Sequence, residues 1–274
     1  MKYLVLGSSG QIGSPLCKYL KDQGNKIFEF DIVNNEKEDL RINNNVLLSD
    51  YIQESDFVFF LAFDVGGSRY LSKYQHSFDF FDNNVKIMSN TFPELKKHNK
   101  PFIFTSSQMS NMSYSPYGVA KAIGERYVNT MNGLTVKFWN VYGVEHDLEK
   151  AHVITDFIIK AQKTGIIDMM TDGLELRQFL HVEDCSRCLY ILSQNFQKLD
   201  KIKDYHITSF EWISILDLAN IVASQFDDVK VVPAKTKDMV QQDKRNKQNP
   251  YILNFWEPKI SLEEGIKSII KELK

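Results

Sequence analysis

Lys2-Tyr3-Leu4-Val5-Leu6-Gly7-Ser8-Ser9-Gly10-Gln11-Ile12-Gly13 begins as a short apolar run and passes directly into glycines spaced three and three. An apolar-periodic stretch from Ile12 to Leu20 follows, so the segment reads as strand, tight turn and helix. Glycines in such a turn permit a sharp reversal and a close backbone approach to a pyrophosphate, and the first N–H groups of the helix face the phosphates. A second strand, Lys26 to Phe30, ends at Asp31, about 20 residues downstream of the turn. A carboxylate there accepts hydrogen bonds from adenosine ribose hydroxyls and repels a 2′-phosphate, which favours NAD over NADP. The expected cofactor-binding group therefore begins with Gly7, Ser9, Gly10, Gln11, Ile12, Gly13 and Asp31. Taken singly, a structural glycine turn and a solvated strand-end aspartate are the simpler readings of these features.

Outward from this start the pattern recurs. Strands are expected at Phe57 to Leu61, Phe102 to Thr105 and Thr135 to Trp139, and helices at Phe78 to Lys97 and Tyr117 to about Met131. Strands alternating with helices imply a parallel sheet covered on both faces. After Gly143 the alternation loosens, and a polar segment, Lys235 to Asn249, precedes Pro258 to Gly265. The expected fold is α/β, a Rossmann-type doubly wound parallel sheet with a smaller mixed α/β C-terminal substrate lobe. The dinucleotide domain is placed at 1–143, completed by about 177–200, and the lobe at 144–176 and 201–274.

The 274 residues carry 33 basic and 35 acidic side chains, a net charge of −2, so no global basic field favours nucleic acid or anionic lipid. The longest apolar run, Phe57 to Phe63, is too short to span a bilayer, and Met1 to Leu6 reaches Gly7 before forming a signal-peptide core. Cys17, Cys185 and Cys188 make no disulfide framework. The expected location is cytoplasmic, with no nucleic-acid or membrane partner. Cys185 and Cys188 have metal-ligand spacing, but a closed zinc site needs about four ligands and no second pair exists; they read as the inner face of a helix, and no metal is expected. His181 reads as a core or strand-end histidine.

Tyr117-Gly118-Val119-Ala120-Lys121 places a phenol and an ammonium four apart on one helix face. A phenol is a poor base at neutral pH, and a neighbouring cation favours its phenolate. Lowering it by about three units corresponds to roughly 4 kcal/mol at 1.36 kcal/mol per unit. Alone, the pair is also an ordinary helix-surface couple.

Together with further pieces it resembles the extended short-chain dehydrogenase/reductase family, the nucleotide-sugar epimerases, dehydratases and reductases, over nearly the whole chain. These pieces are Asp39-Leu40-Arg41, Leu61-Ala62-Phe63, Asp82-Asn83-Asn84-Val85, Phe102 to Ser107, Glu125, Asn140-Val141-Tyr142-Gly143, Arg177 to Asp184, Trp256-Glu257-Pro258 and Ser261 to Gly265. The resemblance implies that Ser107 holds the reacting hydroxyl, Tyr117 takes its proton, and Lys121 binds the nicotinamide ribose and depresses the tyrosine. It adds Asp39, Leu40, Leu61, Ala62, Phe63, Asn84, Tyr117 and Lys121 to the cofactor group. Asn140 and Arg177 would hold the substrate pyrophosphate, Arg177 by charge-assisted bonds. Gly66, Gly67, Gln108 and Met109 would line the sugar site, and Lys244 or Arg245 would reach a nucleotide phosphate unless their stretch is a solvated loop. The 144–176 and 201–274 lobe would then bind the nucleotide sugar, and relatives commonly dimerise through the long helix and the Tyr-Lys helix, so a homodimer is expected.

Departures from the family pattern narrow the chemistry. Dehydratases carry an acidic pair after the catalytic Ser/Thr, and 3,5-epimerising relatives carry a Cys nearby; here Gln108 and Met109 stand there, and neither transfers protons at neutral pH. That argues for oxidation or reduction at one carbon. The expected activity is an NAD-dependent oxidoreductase that oxidises the C4 hydroxyl of a nucleotide sugar by hydride transfer to NAD with a Tyr base. The Asp64-Val65-Gly66-Gly67 turn resembles that of GDP-sugar enzymes and points to a GDP-sugar. A 4-epimerase with retained NAD and a non-catalytic NAD-sensing protein are the alternatives.

Overall fold

The computed structural model describes residues 1–241 and 247–273. Its strands, in chain order, are β1 (Lys2–Leu6), β2 (Lys26–Phe30), β3 (Phe57–Phe60), β4 (Phe102–Ser107), β5 (Gly133–Phe138), β6 (Asn140–Tyr142), β7 (Ile166–Asp168), β8 (Leu176–Arg177), β9 (Phe179–His181), β10 (Tyr205–Ile207), β11 (Ile213–Ser214) and β12 (Lys230–Val232). The helices are α1 (Gly13–Asp22), α2 (Val46–Glu54), α3 (Ser68–Tyr74), α4 (Phe78–His98), α5 (Pro116–Val128), α6 (Val153–Thr164), α7 (Val182–Asn195), α8 (Ile215–Ala223) and α9 (Leu262–Glu272).

Six strands form one parallel sheet in the order β10-β5-β4-β3-β1-β2. The chain leaves β1 toward β2 and then crosses back to lay β3 on the opposite side of β1. A crevice opens beyond the carboxyl ends of the strands at such a reversal. Every residue of β3 and β4 is buried, as a sheet covered on both faces requires. Side-chain alternation splits the strands between two cores. Tyr3, Val5, Phe57, Phe59 and Ile103 meet Leu16 and Leu20 of α1 and Cys185, Cys188 and Leu189 of α7. Leu4, Leu6, Val58, Phe60 and Phe104 meet Leu48 of α2, Met88 and Phe92 of α4, and Ala120 of α5. Cys185 and Cys188 are thus buried packing residues on the inner face of α7, as their spacing in an apolar helix suggested.

The doubly wound sheet matches the expected fold. One boundary differs: 177–200 contributes α7, whereas the strand that extends the sheet is β10, from the stretch assigned to the lobe. With three residues, its apolar alternation is too short to stand out. The lobe has its own core, in which Ile154, Phe157 and Ile158 of α6, Leu218 and Val222 of α8, and Ile266 and Ile269 of α9 pack together. Small two-stranded pairings, β6 with β9, β8 with β11 and β7 with β12, knit it. Among the described residues no helix is long and apolar enough to cross a membrane.

Helix α5 starts one residue before expectation because Ser115 accepts the Gly118 N–H and Pro116 occupies the first turn, where its missing N–H costs nothing. Phe92 anchors α4 to the sheet, with ring centroids 5.3 Å from Phe60 and 5.5 Å from Phe104, and stacks on Tyr127 of α5 at 4.8 Å. Phe92→Ala removes the ring common to sheet, α4 and α5, and is expected to cost about 3–5 kcal/mol of stability, measured as a shift in the urea unfolding midpoint.

Candidate active site

A cleft of about 1460 Å³ occupies the crevice. Its floor is set by backbone contact. Gly7 has φ +86°, and an added Cβ would stand 2.8 Å from the Ala62 backbone; one on Gly13 would stand 2.0 Å from Gly7 O. Gly7 N–H donates to Phe30 O at 2.9 Å, and Leu61 and Ala62 N–H groups donate to Leu6 O at 3.0 and 2.9 Å. The ends of β1, β2 and β3 and the start of α1 are therefore held within one another's van der Waals contact.

Helix α1 has no side-chain cap and no acidic residue in its first turn, so the positive end of its dipole is not neutralised locally. Gln11 Nε2 is buried without a partner among the described residues. Asp31 Oδ2 accepts Ser9 N–H and Oδ1 accepts Val33 N–H, both at 3.0 Å, which fixes the carboxylate beside the turn. Gly10, Gln11, Ile12 and Ser9 line the cleft with Asp31, Leu40 and Asp39. Asp39 is gripped by Arg41 through Nε at 2.9 Å and Nη2 at 2.8 Å; despite desolvation, these bonds hold its carboxyl below the usual range. An uncapped helix start, an unpartnered amide and a fixed ribose-accepting carboxylate fit NAD. The glycine turn with Gln11 and Ile12 would hold its pyrophosphate and Asp31 its adenosine ribose.

Asn84 takes a different role from the expected cofactor contact. It is fully buried, accepts Asp64 N–H at 2.7 Å and donates to Asp64 O and Phe80 O at 3.0 Å. Its amide is spent on shaping the loop after β3.

β4 and α5 bring Ser107, Tyr117 and Lys121 together; Tyr117 and Lys121 line the cleft, and Ser107 is buried beside them. The Tyr117 hydroxyl shares a hydrogen bond with the Ser107 side chain, and burial nonetheless pushes the phenol up to about 12. Ser107 Oγ also accepts Met109 N–H at 3.1 Å. Lys121 is 3% exposed; its Nζ donates to Thr105 O at 2.6 Å and lies 3.7 Å from the centroid of Phe63. Burial lowers its ammonium to about 7, with Glu125 opposing. The expected lowering of Tyr117 by Lys121 is thus not what the protein's own groups produce: burial prevails over the phenol, and the ammonium's hydrogen bond goes to a carbonyl.

The expected substrate residues divide. Gly66 lines the cleft with Leu61, Ala62 and Phe63, whereas Gly67 docks the loop by donating its N–H to Lys150 O at 2.9 Å. Gln108 and Met109 are buried, in a 3-10 turn after β4. Asn140 Nδ2 donates to Gln178 O at 3.0 Å. Arg177 pairs with Asp238 at 2.5 Å. Gly67, Gln108, Met109, Asn140 and Arg177 are not among the cleft-lining residues, and Lys244 and Arg245 lie outside the described residues.

Sequence reasoning missed two groups. Asp64 accepts Tyr70 OH at 2.7 Å and Asn83 Nδ2 at 3.1 Å, and pairs with Lys150 at 3.4 Å. Glu145, 8% exposed, accepts His152 N–H at 2.8 Å and lies 2.6 Å from His152 Nδ1. A carboxylate only accepts, so Nδ1 carries the hydrogen and Nε2 is the nitrogen left for proton exchange. Both residues line the cleft with Tyr117 and Lys121. Seven residues apart in an irregular segment, they show no periodicity that would have joined them.

A lysine that titrates at 10.5 when unfolded and at about 7 when folded leaves the unfolded chain holding the extra proton between these values, so this contribution to stability rises with pH across that window. Lys121→Met is expected to be stabilised most at and below pH 7, with the advantage fading as pH approaches 10.5, by up to about 1.4 kcal/mol per pH unit. Denaturant titrations across that range check it.

The geometry has counterparts among known proteins. The chain is 26% identical, over an alignment 314 positions long, to GDP-mannose 3,5-epimerase of Arabidopsis thaliana, covering 97% of this chain and 80% of that protein. Its fold superposes with a TM-score of 0.84 on a GDP-6-OMe-4-keto-L-xylo-heptose reductase from C. jejuni, at 18% identity over 99% of this chain and 97% of that one. It superposes with a TM-score of 0.83 on the epimerase Mth375 from Methanothermobacter thermautotrophicus, at 19% identity over 98% of this chain and 91% of that one. At these identities the structural likeness speaks for the fold. The model of the NAD dependent epimerase/dehydratase family matches residues 3–208, three quarters of the chain and all the strands of the main sheet, and this protein belongs to that family.

Proposed function

We propose that the chain performs NAD-dependent oxidoreduction at C4 of a nucleotide-activated sugar, with GDP-sugars as first candidates. The observation that carries this reading is the Ser107–Tyr117 hydrogen bond beside buried Lys121, at the inner end of a dinucleotide cradle. Bound NAD supplies the acceptor for the hydride that leaves the carbinol carbon. Ser107 Oγ holds the reacting hydroxyl and Tyr117 Oη takes its proton. Lys121, when charged, favours the phenolate that makes this transfer feasible. Asn140 and Arg177 hold the substrate diphosphate. The GDP-sugar choice is supported by the Asp64-Val65-Gly66-Gly67 turn and by the GDP-linked substrates in the names of two similar proteins.

The Glu145–His152 pair favours a second reading. A C4 ketone acidifies the hydrogens on C3 and C5, and an oriented imidazole can remove and return such a proton. Gln108 and Met109 lack this capacity, but the pair enters the cleft from another element. On this reading the chain exchanges the proton of a carbon next to the ketone; return to the same face keeps the configuration, and inversion takes a second donor on the opposite face.

The test incubates purified protein and NAD with GDP-, UDP- and dTDP-sugars in deuterated water, following NADH absorbance and the sugar proton spectrum. NADH accumulation identifies a net dehydrogenase; inversion at C4 without it, a 4-epimerase; deuterium at C3 or C5, the second reading. Tyr117→Phe is expected to lose about a hundredfold to ten-thousandfold in turnover while retaining NAD. Full activity in that variant would remove the proposal, and binding without turnover of any sugar would favour an NAD-sensing role. His152→Gln is expected to abolish deuterium uptake and spare hydride transfer. Val85, Ile123 and Tyr127 are exposed on α4 and α5, which supports a homodimer through these helices; sedimentation should show a dimer that Ile123→Glu dissociates.

A further inference from the structure

Asn140 and Arg177, the proposed diphosphate ligands, do not line the cleft, and Arg177 is engaged by residues 238–241. Val240 is 5% exposed and packs with Met109, Met112, Leu71 and Phe80 in a cluster that the Tyr117 ring also touches. Gln241 Nε2 reaches Met109 Sδ at 3.6 Å. Asp238 Oδ2 accepts Arg177 Nη2 at 2.5 Å, and the same nitrogen reaches Gln241 O at 3.3 Å. Asp238 Oδ1 accepts the backbone N–H groups of Val240 at 2.7 Å and Gln241 at 3.3 Å. The two charged side chains are only 15% and 12% exposed. Residues 238–241 thus form a strap from the guanidinium of the lobe to the turn that carries Met109.

We infer that Asp238 occupies the position of the substrate diphosphate on Arg177, so that the nucleotide sugar binds by exchanging one anion for the other and displacing the strap. The inference rests on the proposed role of Arg177 as diphosphate ligand. A guanidinium donates to carboxylate and phosphate oxygens alike. A largely buried arginine that loses its partner is left as an uncompensated charge, so exchange is favoured over simple opening. A tethered carboxylate competes at an effective concentration of the order of millimolar, enough to weaken nucleotide binding and to keep Arg177 from taking up stray phosphate. The displaced strap also carries Val240 away from Met109, whose N–H is bonded to Ser107 Oγ, and so loosens the packing on the side of Ser107 and Tyr117 away from the cleft.

Calorimetric titration of GDP and UDP into the NAD-saturated protein tests this. Asp238→Asn is expected to tighten binding of the preferred nucleotide tenfold or more, and Arg177→Gln to weaken it by at least as much. In the native chain, saturation with that nucleotide should speed hydrogen exchange at the Val240 and Gln241 amides, which lose the shelter of the packing against Met109 and Met112; this readout does not depend on any variant folding. Unchanged affinity in Asp238→Asn with unchanged exchange would overturn the strap, while a loss in Arg177→Gln would leave the diphosphate site standing. No effect of Arg177→Gln would overturn both.

Discussion

Everything in the cleft depends on how closely three strand ends and one helix start approach one another. Gly7 lies against the Ala62 backbone and Gly13 against Gly7 O, at separations that admit no Cβ. This contact sets the distance between β1 and β3 at the reversal of strand order, and with it the width of the cradle. It also brings the uncapped start of α1 next to the Asp31 carboxylate, so the positive helix end and the fixed acceptor share one wall. The glycines therefore act mainly through packing of backbone on backbone, and the positive φ at Gly7 is the single torsional demand within the turn.

A second constraint joins the two lobes. Asp64 follows the end of β3, is held from below by Asn84, and collects Tyr70, Asn83 and Lys150. Lys150 belongs to the segment that carries Glu145 and His152, and Gly67 is tied to its carbonyl. The dinucleotide half thus fixes the position of the cleft's outer wall through a partly buried charge network rather than a broad apolar interface. Such a network is directional, so it specifies where the wall sits more sharply than apolar contact would.

The fold was legible because its signals are local. Apolar strands broken by glycines, and helices with apolar stripes, announce themselves within windows of a few residues, as Lys2 to Leu20 shows. The Ser107, Tyr117 and Lys121 set was legible through the family resemblance, since the Tyr-Lys pair alone reads equally as a helix-surface couple. The rest depends on long-range contact. Asn84 looked like a cofactor ligand because nothing in Asp82 to Val85 reveals that its amide turns inward to Asp64. The electrostatic balance was equally hidden: the charge of Lys121 is local to the sequence, but the burial that outweighs it on Tyr117 is a property of the packed site. Glu145 with His152, and Arg177 with Asp238, join irregular segments in which no periodicity operates.

These differences sort the residues by task. Tyr117, Lys121 and Ser107 sit on the rigid sheet layer, where strand register and a capped helix leave little freedom. Glu145 and His152 line the cleft from an irregular segment of the lobe, and Asp238 and Val240, on another, lie against Arg177 and Met109. Loops tolerate substitution where the sheet does not. A hydride-transfer site of fixed geometry can therefore serve oxidation, reduction or epimerisation according to what the loops present, because each reaction passes through the same carbonyl and differs only in what meets it next. On the second reading proposed above, the imidazole of His152, oriented by Glu145, is what the loops add to the cleft, a group able to exchange protons on the carbons beside the carbonyl.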